Sequence, residues 1–187
     1  MNKQNVQSNN ETRLSDRRVF SFDAETNGLW GQAFAIAAVV YEGGKEVASF
    51  IGRCQIEELV NPWVWENVLP QMKGIKVNCA SYNELLEKFA EFYLREKVNA
   101  DIIVHMGTPV ESRVLTHMHA KGFIGDWDGP YPMIDLAGNL QQAGCDPTSV
   151  DAYNAAHDLV VPECEGGTHN PLYDSRAAAL CYLSLMA

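Results

Sequence analysis

Two apolar runs joined by a short glycine turn limit most strongly what this chain can fold into. The runs span residues 34–41 and 47–51, and the turn between them contains the letters "EGGK". Apolar runs on both sides of a tight turn are typical of a β-hairpin. An earlier segment, residues 19–25, alternates apolar and polar residues with the period of a β-strand. The sequence therefore predicts three neighbouring strands in its first third.

The remainder of the chain predicts one more strand and several helices. A capping box at Ser81 to Glu84 precedes apolar residues at helical spacing, so a helix should run to about Lys97. The letters "DIIVHMG" (residues 101–107) predict a short buried strand. This order of elements favours an α/β fold with a mixed sheet.

Local signals also place the remaining helices. Thr108 as N-cap and Pro109 at the first position predict a helix that ends at Gly122. Two short helices are expected at residues 134–143 and 149–157. In the last helix Asn170 is the predicted cap and Pro171 the first residue.

The size and charge of the chain limit its domain count and its partners. With 187 residues, of which 47% are hydrophobic, the sequence suits one globular domain with a sizeable core. Its formal charge of −10 argues against a protein that coats long stretches of nucleic acid or an anionic membrane. A small contact with a polyanion remains open, because metal ions can supply positive charge locally.

The first 18 residues differ in composition from the rest of the chain. They are polar and contain no apolar segment of the kind a signal peptide needs, so we expect a disordered polar arm at residues 1–18 and a single domain at 19–187. No apolar stretch is long enough to span a membrane, and we expect a cytoplasmic protein. The five cysteines lack C-x-x-C spacing, which predicts free thiols in a reducing compartment: they are Cys54, Cys79, Cys145, Cys164 and Cys181.

Two acids in the first strand point to metal chemistry. Because side chains alternate along a strand, Asp23 and Glu25 project from the same face. Carboxylates held that close repel each other unless a cation lies between them, so the pair predicts a site for a hard divalent ion. An exposed strand face, with both acids pointing to water, is the alternative.

A histidine and an acid near the last helix are further candidates. His169 precedes the predicted cap, and Asp174 lies in the first turn, where a helix N-terminus stabilises negative charge. The letters "GGTH" suggest a mobile loop, which suits a histidine that swings toward a substrate. Ordinary helix electrostatics and a surface histidine are the alternatives.

Three segments in this order resemble the DnaQ-like (DEDDh) 3′–5′ exonucleases, and among them the ribonuclease T-type exoribonucleases. The segments are "FDAETNGL", "IIVHMGTPVESRVL" and "SVDAYNAAHDL…GGTHNPLYDSRAAALCYLSL", so that the resemblance covers residues 19–187. It implies a ribonuclease H-like fold, with a mixed five-stranded central sheet flanked by helices. It also implies a homodimer.

The resemblance assigns roles to individual residues. It implies two divalent ions, Mg²⁺ or Mn²⁺, with Asp23 as a ligand of both and with Glu25 and Asp174 as ligands of the first. His169 would be the general base that takes a proton from the attacking water. The reaction implied is hydrolysis at the 3′ end of single-stranded RNA or DNA, RNA being favoured, with release of nucleoside 5′-monophosphates.

The second motif departs from the family pattern. Its helix should present an aspartate, whereas this chain has Glu111, one methylene longer. In the family this acid acts mostly through metal-bound water, so a longer carboxylate is compatible with the role. Because Thr108 and Glu111 also have the spacing of a capping box, a purely structural role is the alternative.

The residues after the first motif are candidates for substrate binding. Asn27, Gly28 and Leu29 match the family segment that wedges the terminal nucleotide, and Trp30 offers a stacking surface or, alternatively, a core aromatic. Packing is the favoured interpretation for Trp63 and for Trp65.

Two other functions remain open at this point. A catalytically silent relative would bind nucleic-acid ends or a protein partner without cleaving. An endonuclease of the ribonuclease H kind would share the fold and cut internally. A histidine on a loop before the last acid favours the exonuclease.

Overall fold

A mixed five-stranded sheet forms the centre of the molecule. The structure is a computed structural model that describes residues 14–164 and 169–187. Its strands are β1 (Val19–Thr26), β2 (Ala33–Glu42), β3 (Lys45–Arg53), β4 (Asp101–Val104) and β5 (Met133–Asp135). Its helices are α1 (Pro62–Asn67), α2 (Tyr82–Glu96), α3 (Val110–Ala120), α4 (Leu136–Gln142), α5 (Val150–Ala156) and α6 (Pro171–Leu185).

The strand order explains why β1 lies at the middle of the sheet. The order is β3-β2-β1-β4-β5, in which β1, β2 and β3 pair antiparallel and β1, β4 and β5 pair parallel. The predicted hairpin, its attachment to the first strand and the mixed five-stranded sheet are therefore confirmed. The fifth strand has only three residues and was not recognised from the sequence.

Helices cover both faces of the sheet, and each face has its own core. Phe20 and Phe22 of β1 pack with α2 and α3, whereas Val19, on the opposite side of the strand, packs with α4, α5 and α6. Nearly every residue of β2 is buried, because this strand is covered on both faces. The alternation along β1 thus decides which of its side chains face α6.

Several predicted boundaries are wrong for reasons of tertiary structure. The strand predicted at residues 101–107 ends at Val104. The backbone amides of Met106 and Gly107 donate to the carboxylate of Asp135 and not to a neighbouring strand. Ile134 belongs to β5, and the helix predicted from that residue starts two residues later with Asp135 as its cap.

The segment before β1 packs with the domain, although the sequence assigned it to the polar arm. Leu14 contacts the core beneath α6, and the Ser15 amide donates to the carbonyl of Leu183 at 3.0 Å. Arg18 forms ion pairs with Glu42 and Glu96. The rest of the predicted arm, residues 1–13, lies outside the described residues.

Two other expectations concern the whole chain. All five cysteines are free thiols, as expected, and three of them are buried. Within the described ranges, no helix is long and apolar enough to cross a membrane.

Candidate metal centre

Three acids from two distant elements meet at the carboxyl end of β1. Asp23 and Glu25 lie on the same side of β1 as Val19, which is the side that α6 covers. Asp174 lies in the first turn of α6. One carboxylate oxygen from each acid lies within 4.8 Å of the other two. The structure thus brings together the residues that the sequence analysis expected to converge.

The start of α6 is fixed by polar contacts. The side chain of Asn170 accepts a hydrogen bond from the Leu172 amide at 3.0 Å, and Pro171 takes the first helical position, as predicted. The buried Ser175 hydroxyl contacts the carbonyl of Pro171 at 2.7 Å and that of Ala37 at 3.2 Å. Because Ala37 belongs to β2, this contact sets the height of the first turn of α6 above the sheet.

Burial and repulsion make these acids hard to ionise together. The pKa of Glu25 is raised to about 8, first by burial and then by the charges of Asp174 and Glu111. The pKa of Asp174 is raised to about 7, first by burial and then by the charge of Asp151. A hydrogen bond from the His169 backbone acts in the opposite direction on Asp174. Without a cation, the cluster therefore retains protons at neutral pH.

The donor set fits a hard divalent cation. Burial and then the charges of Glu111, Asp174 and Glu25 raise the pKa of Asp23 well above its ordinary value. Within the described residues, the ion pairs of lysine and arginine side chains are all made elsewhere. A buried group of carboxylates that no described lysine or arginine pairs with is chemically unsatisfied, and oxygen donors are the ligands that Mg²⁺ and Mn²⁺ prefer.

Glu111 lies beside this cluster and does not cap its own helix. Its Oε1 atom accepts a hydrogen bond from the Ala24 amide at 3.0 Å, between the two acids of β1. The predicted start of α3 is wrong, because Pro109 and not Thr108 is the residue before the helix, and the alternative of a capping box fails because no side chain caps the helix. Burial raises the pKa of Glu111 to about 7, although hydrogen bonds from its own backbone amide and from that of Ala24 oppose that shift. The fourth acid of the motif thus contributes to the electrostatics of the centre.

His169 stands at the exposed side of the acids. Its Nδ1 atom lies 3.8 Å from Oε1 of Glu25, and 42% of its side chain is exposed. The edge of its ring meets the indole of Trp63, with centroids 6.4 Å apart and ring planes at 82°. The glycine loop that was expected to let His169 move, residues 165–168, lies outside the described residues.

The side chain of Asn27 holds the segment that follows β1. Its amide nitrogen donates to Oε1 of Glu58 at 3.0 Å and to the carbonyl of Leu59 at 2.9 Å. Its carbonyl oxygen accepts from the amide of Asn61 at 2.7 Å. Asn27 is buried, and all of these bonds are made to other parts of the protein, so its side chain positions the segment at Glu58 to Asn61.

The turn at Gly28 to Gly31 presents two apolar side chains to solvent. Gly28 has a φ of +77°, and a Cβ atom there would lie 2.9 Å from the side-chain nitrogen of Asn61, so only glycine suits this position. Arg113 of α3 donates to the carbonyl of Gly31. Leu29 and Trp30 are exposed between these anchors.

Trp30, Trp63 and Trp65, which the sequence analysis singled out, are all surface residues. Trp30 is 73% exposed, Trp63 57% and Trp65 65%, so the core interpretation of Trp30 and the packing interpretation of the other two are wrong. Trp63 and Trp65 lie on α1, a six-residue helix that the sequence analysis did not predict. Asn61 followed by Pro62 is a helix-start signal that was available there, and the Asn61 side chain does cap α1.

Comparisons with known proteins identify the fold. No protein-family model and no curated protein matches the sequence. Among solved structures, the chain is similar to Exonuclease X in complex with 5′ overhanging duplex DNA. The TM-score is 0.58, with 17% sequence identity over 90% of each chain. This likeness confirms the expected ribonuclease H-like fold.

Proposed function

We propose that this protein is a metal-dependent 3′–5′ exonuclease of the DnaQ-like type, which removes nucleotides from single-stranded ends. The observation that carries the proposal is the meeting of Asp23, Glu25 and Asp174 at the end of the central strand, with His169 at its open side. The fold shared with Exonuclease X supports it, because that protein is an exonuclease whose structure contains bound DNA.

The acids of this chain have distinct tasks in the proposed reaction. Asp23, Glu25 and Asp174 would hold the divalent ions, and Glu111 adds negative charge beside them. Two bound ions would supply positive charge for the phosphate that is attacked and for the oxygen that leaves. The raised pKa values of Glu25 and Asp174 then fall, because a cation stabilises the ionised form of each acid.

His169 accepts a proton while water attacks. Its position beside Glu25 and its exposure place it between the acids and solvent, where a water molecule would approach a bound phosphate. The oxygen of that water forms a new bond to phosphorus as the bond to the 3′ oxygen breaks. The 3′ oxygen leaves with the bonding electrons and takes a proton from solvent water, which makes it the new 3′ hydroxyl, and His169 returns its proton to solvent. The released product is a nucleoside 5′-monophosphate. Ribonuclease T-type membership and a preference for RNA stay predictions.

The exposed apolar side chains around the centre suit a nucleotide at a chain end. Leu29 and Trp30 project from the turn after β1, and Trp63 projects from α1 on the side of His169. Aromatic faces stack on any base, so such a surface favours an end over a sequence. The network of Asn27, Glu58 and Asn61 holds the turn and α1 at a fixed distance.

The decisive experiment follows labelled oligonucleotides over time. We expect 5′-labelled single-stranded RNA and DNA to shorten one nucleotide at a time with Mn²⁺ or Mg²⁺, and to stay intact with a chelator or a blocked 3′ hydroxyl. Glu25→Gln should abolish the reaction. The matched control is Glu87→Gln, since Glu87 is an exposed residue of α2. Internal cuts would instead indicate an endonuclease, and binding without cleavage under all conditions would indicate a catalytically silent protein.

A further inference from the structure

We propose that an open cavity beside α1 binds a nucleotide upstream of the scissile bond. The cavity has a volume of about 250 Å³ and is lined by Trp65, Leu69, Pro70 and Lys73. The proposal rests on the proposed function for the identity of its occupant, a single strand of nucleic acid. It adds a second contact region, separate from the acids and from His169.

The position of Trp65 on α1 places the cavity away from the reacting end. Val64 faces the core, and successive residues of a helix are rotated by about 100°. Trp63 and Trp65, one residue before and one after Val64, therefore project from opposite flanks of α1. Trp63 meets His169 on one flank. A strand whose 3′ end lies at the acids therefore crosses the exposed side of α1 before it reaches Trp65.

The chemistry of the cavity matches a nucleotide. An exposed indole offers a flat face on which a base can stack, and Leu69 and Pro70 complete an apolar wall. Lys73 stands at the same cavity, and within the described residues it makes no hydrogen bond or ion pair. What sets Lys73 apart is its place beside an aromatic surface, because an ammonium group next to an indole matches a base and its phosphate.

Backbone and side-chain bonds connect this cavity to the acids. The amide of Leu69 donates to the carbonyl of Val64 at 3.0 Å, which ties the cavity wall to α1. The amide of Asn61, which caps α1, donates to Asn27 at 2.7 Å. Asn27 comes two residues after Glu25, so the cavity and the metal centre belong to one connected part of the molecule.

The test measures binding without chemistry. The affinity of fluorescein-labelled oligonucleotides of two and of eight nucleotides is determined by anisotropy in the presence of a chelator, with unmodified 3′ ends. Trp65→Ala should weaken binding of the eight-mer about tenfold, the loss typical of one stacked base, and should leave binding of the dinucleotide as in the wild type. Trp65→Phe, which keeps an aromatic face, should retain most of the affinity.

A contact between Lys73 and a phosphate is tested by the salt dependence of binding. Lys73→Gln should reduce the slope of log affinity against log salt concentration for the eight-mer by about 0.7, as expected for one lost phosphate contact on a single strand. The matched controls are Trp127→Ala, at another exposed tryptophan, and Lys45→Gln, at the first residue of β3, which lies at the opposite end of β1 from the acids. Neither control should change the affinity.

The outcomes separate this proposal from the proposed function. Equal losses for the dinucleotide and the eight-mer, or no loss for either, would overturn the cavity as an upstream subsite, and so would an eight-mer that does not bind. A wild-type protein that never hydrolyses an oligonucleotide would overturn the exonuclease. A loss at Trp65 confined to the eight-mer would still support the cavity, because binding is measured without metal.

Discussion

Replacing Glu25 with glutamine should make the metal-free protein more stable, although it removes a proposed metal ligand. The pKa of Glu25 is about 8 in the folded protein, against an ordinary value of 4.5. Between these pH values the folded protein keeps a proton that the unfolded chain has lost. The contribution of Glu25 to the free energy of unfolding is therefore most favourable below about pH 4.5, falls as the pH rises, and levels off above about pH 8.

The size of the stability gain follows from the difference between the folded and the ordinary pKa of Glu25. At pH 7, about 2.5 pH units above the ordinary value of 4.5, the cost to folding is about 3 kcal/mol, at about 1.4 kcal/mol per unit. The neighbouring acids share this cost, so we expect Glu25→Gln to recover about 2–3 kcal/mol at pH 7. For a chain of this length, that gain corresponds to an increase in Tm of about 4–12 °C.

Thermal unfolding followed by circular dichroism measures this gain. With a chelator, the Tm of Glu25→Gln should exceed that of the wild type at pH 7 and 8, and the difference should shrink toward pH 5. With Mn²⁺ at one hundred times Kd the difference in Tm should nearly disappear, because the wild type gains about 2.7 kcal/mol and the variant, which has lost a ligand, gains less. Glu87→Gln should behave as the wild type throughout. A metal-free variant that is no more stable than the wild type at pH 8 would refute the argument from buried charge.

Three other substitutions test individual contacts. His169→Gln should lower kcat about a hundredfold or more, the usual contribution of a general base, while the increase in Tm on adding Mn²⁺ stays that of the wild type; His119→Gln, at an exposed site, should have no effect on kcat. Glu111→Gln keeps an acceptor for the Ala24 amide, so it should fold normally and lose metal-dependent activity in a nuclease assay, and full activity would show a purely structural role. Asn27→Leu removes the hydrogen bonds of a buried side chain to Glu58, Leu59 and Asn61, which should cost about 1–3 kcal/mol in urea unfolding and raise KM, and an unchanged KM would contradict its positioning role.

Much of the candidate metal centre could be predicted from the sequence, because strand periodicity and helix caps determine where its acids lie. The period of two along β1 placed Asp23 and Glu25 on one face, and the structure keeps them there. Asn170 and Pro171 specify where α6 begins, which fixes Asp174 in its first turn. The meeting of β1 with α6 came from the family resemblance, since no local signal contains a contact between such distant segments.

The wrong predictions share a cause, which is that tertiary contacts overrode a local preference. Thr108 and Glu111 have the spacing of a capping box, yet Glu111 bonds to the Ala24 amide of another element. The neighbours of Ile134 in the sequence favour a helix, but pairing with β4 makes it part of a strand. Trp63 was assigned to packing because large aromatics bury area well, and here its ring lies on the surface beside His169.

The position of Asp174 in α6 has a consequence for synthesis of the protein. A ribosome makes β1, and with it Asp23 and Glu25, long before it makes α6. A nascent chain, or a product of premature termination, therefore carries part of the carboxylate set without its third member. If the acids form the proposed nuclease site, a polypeptide can hydrolyse nucleic acid, including its own mRNA, only after α6 has been synthesised.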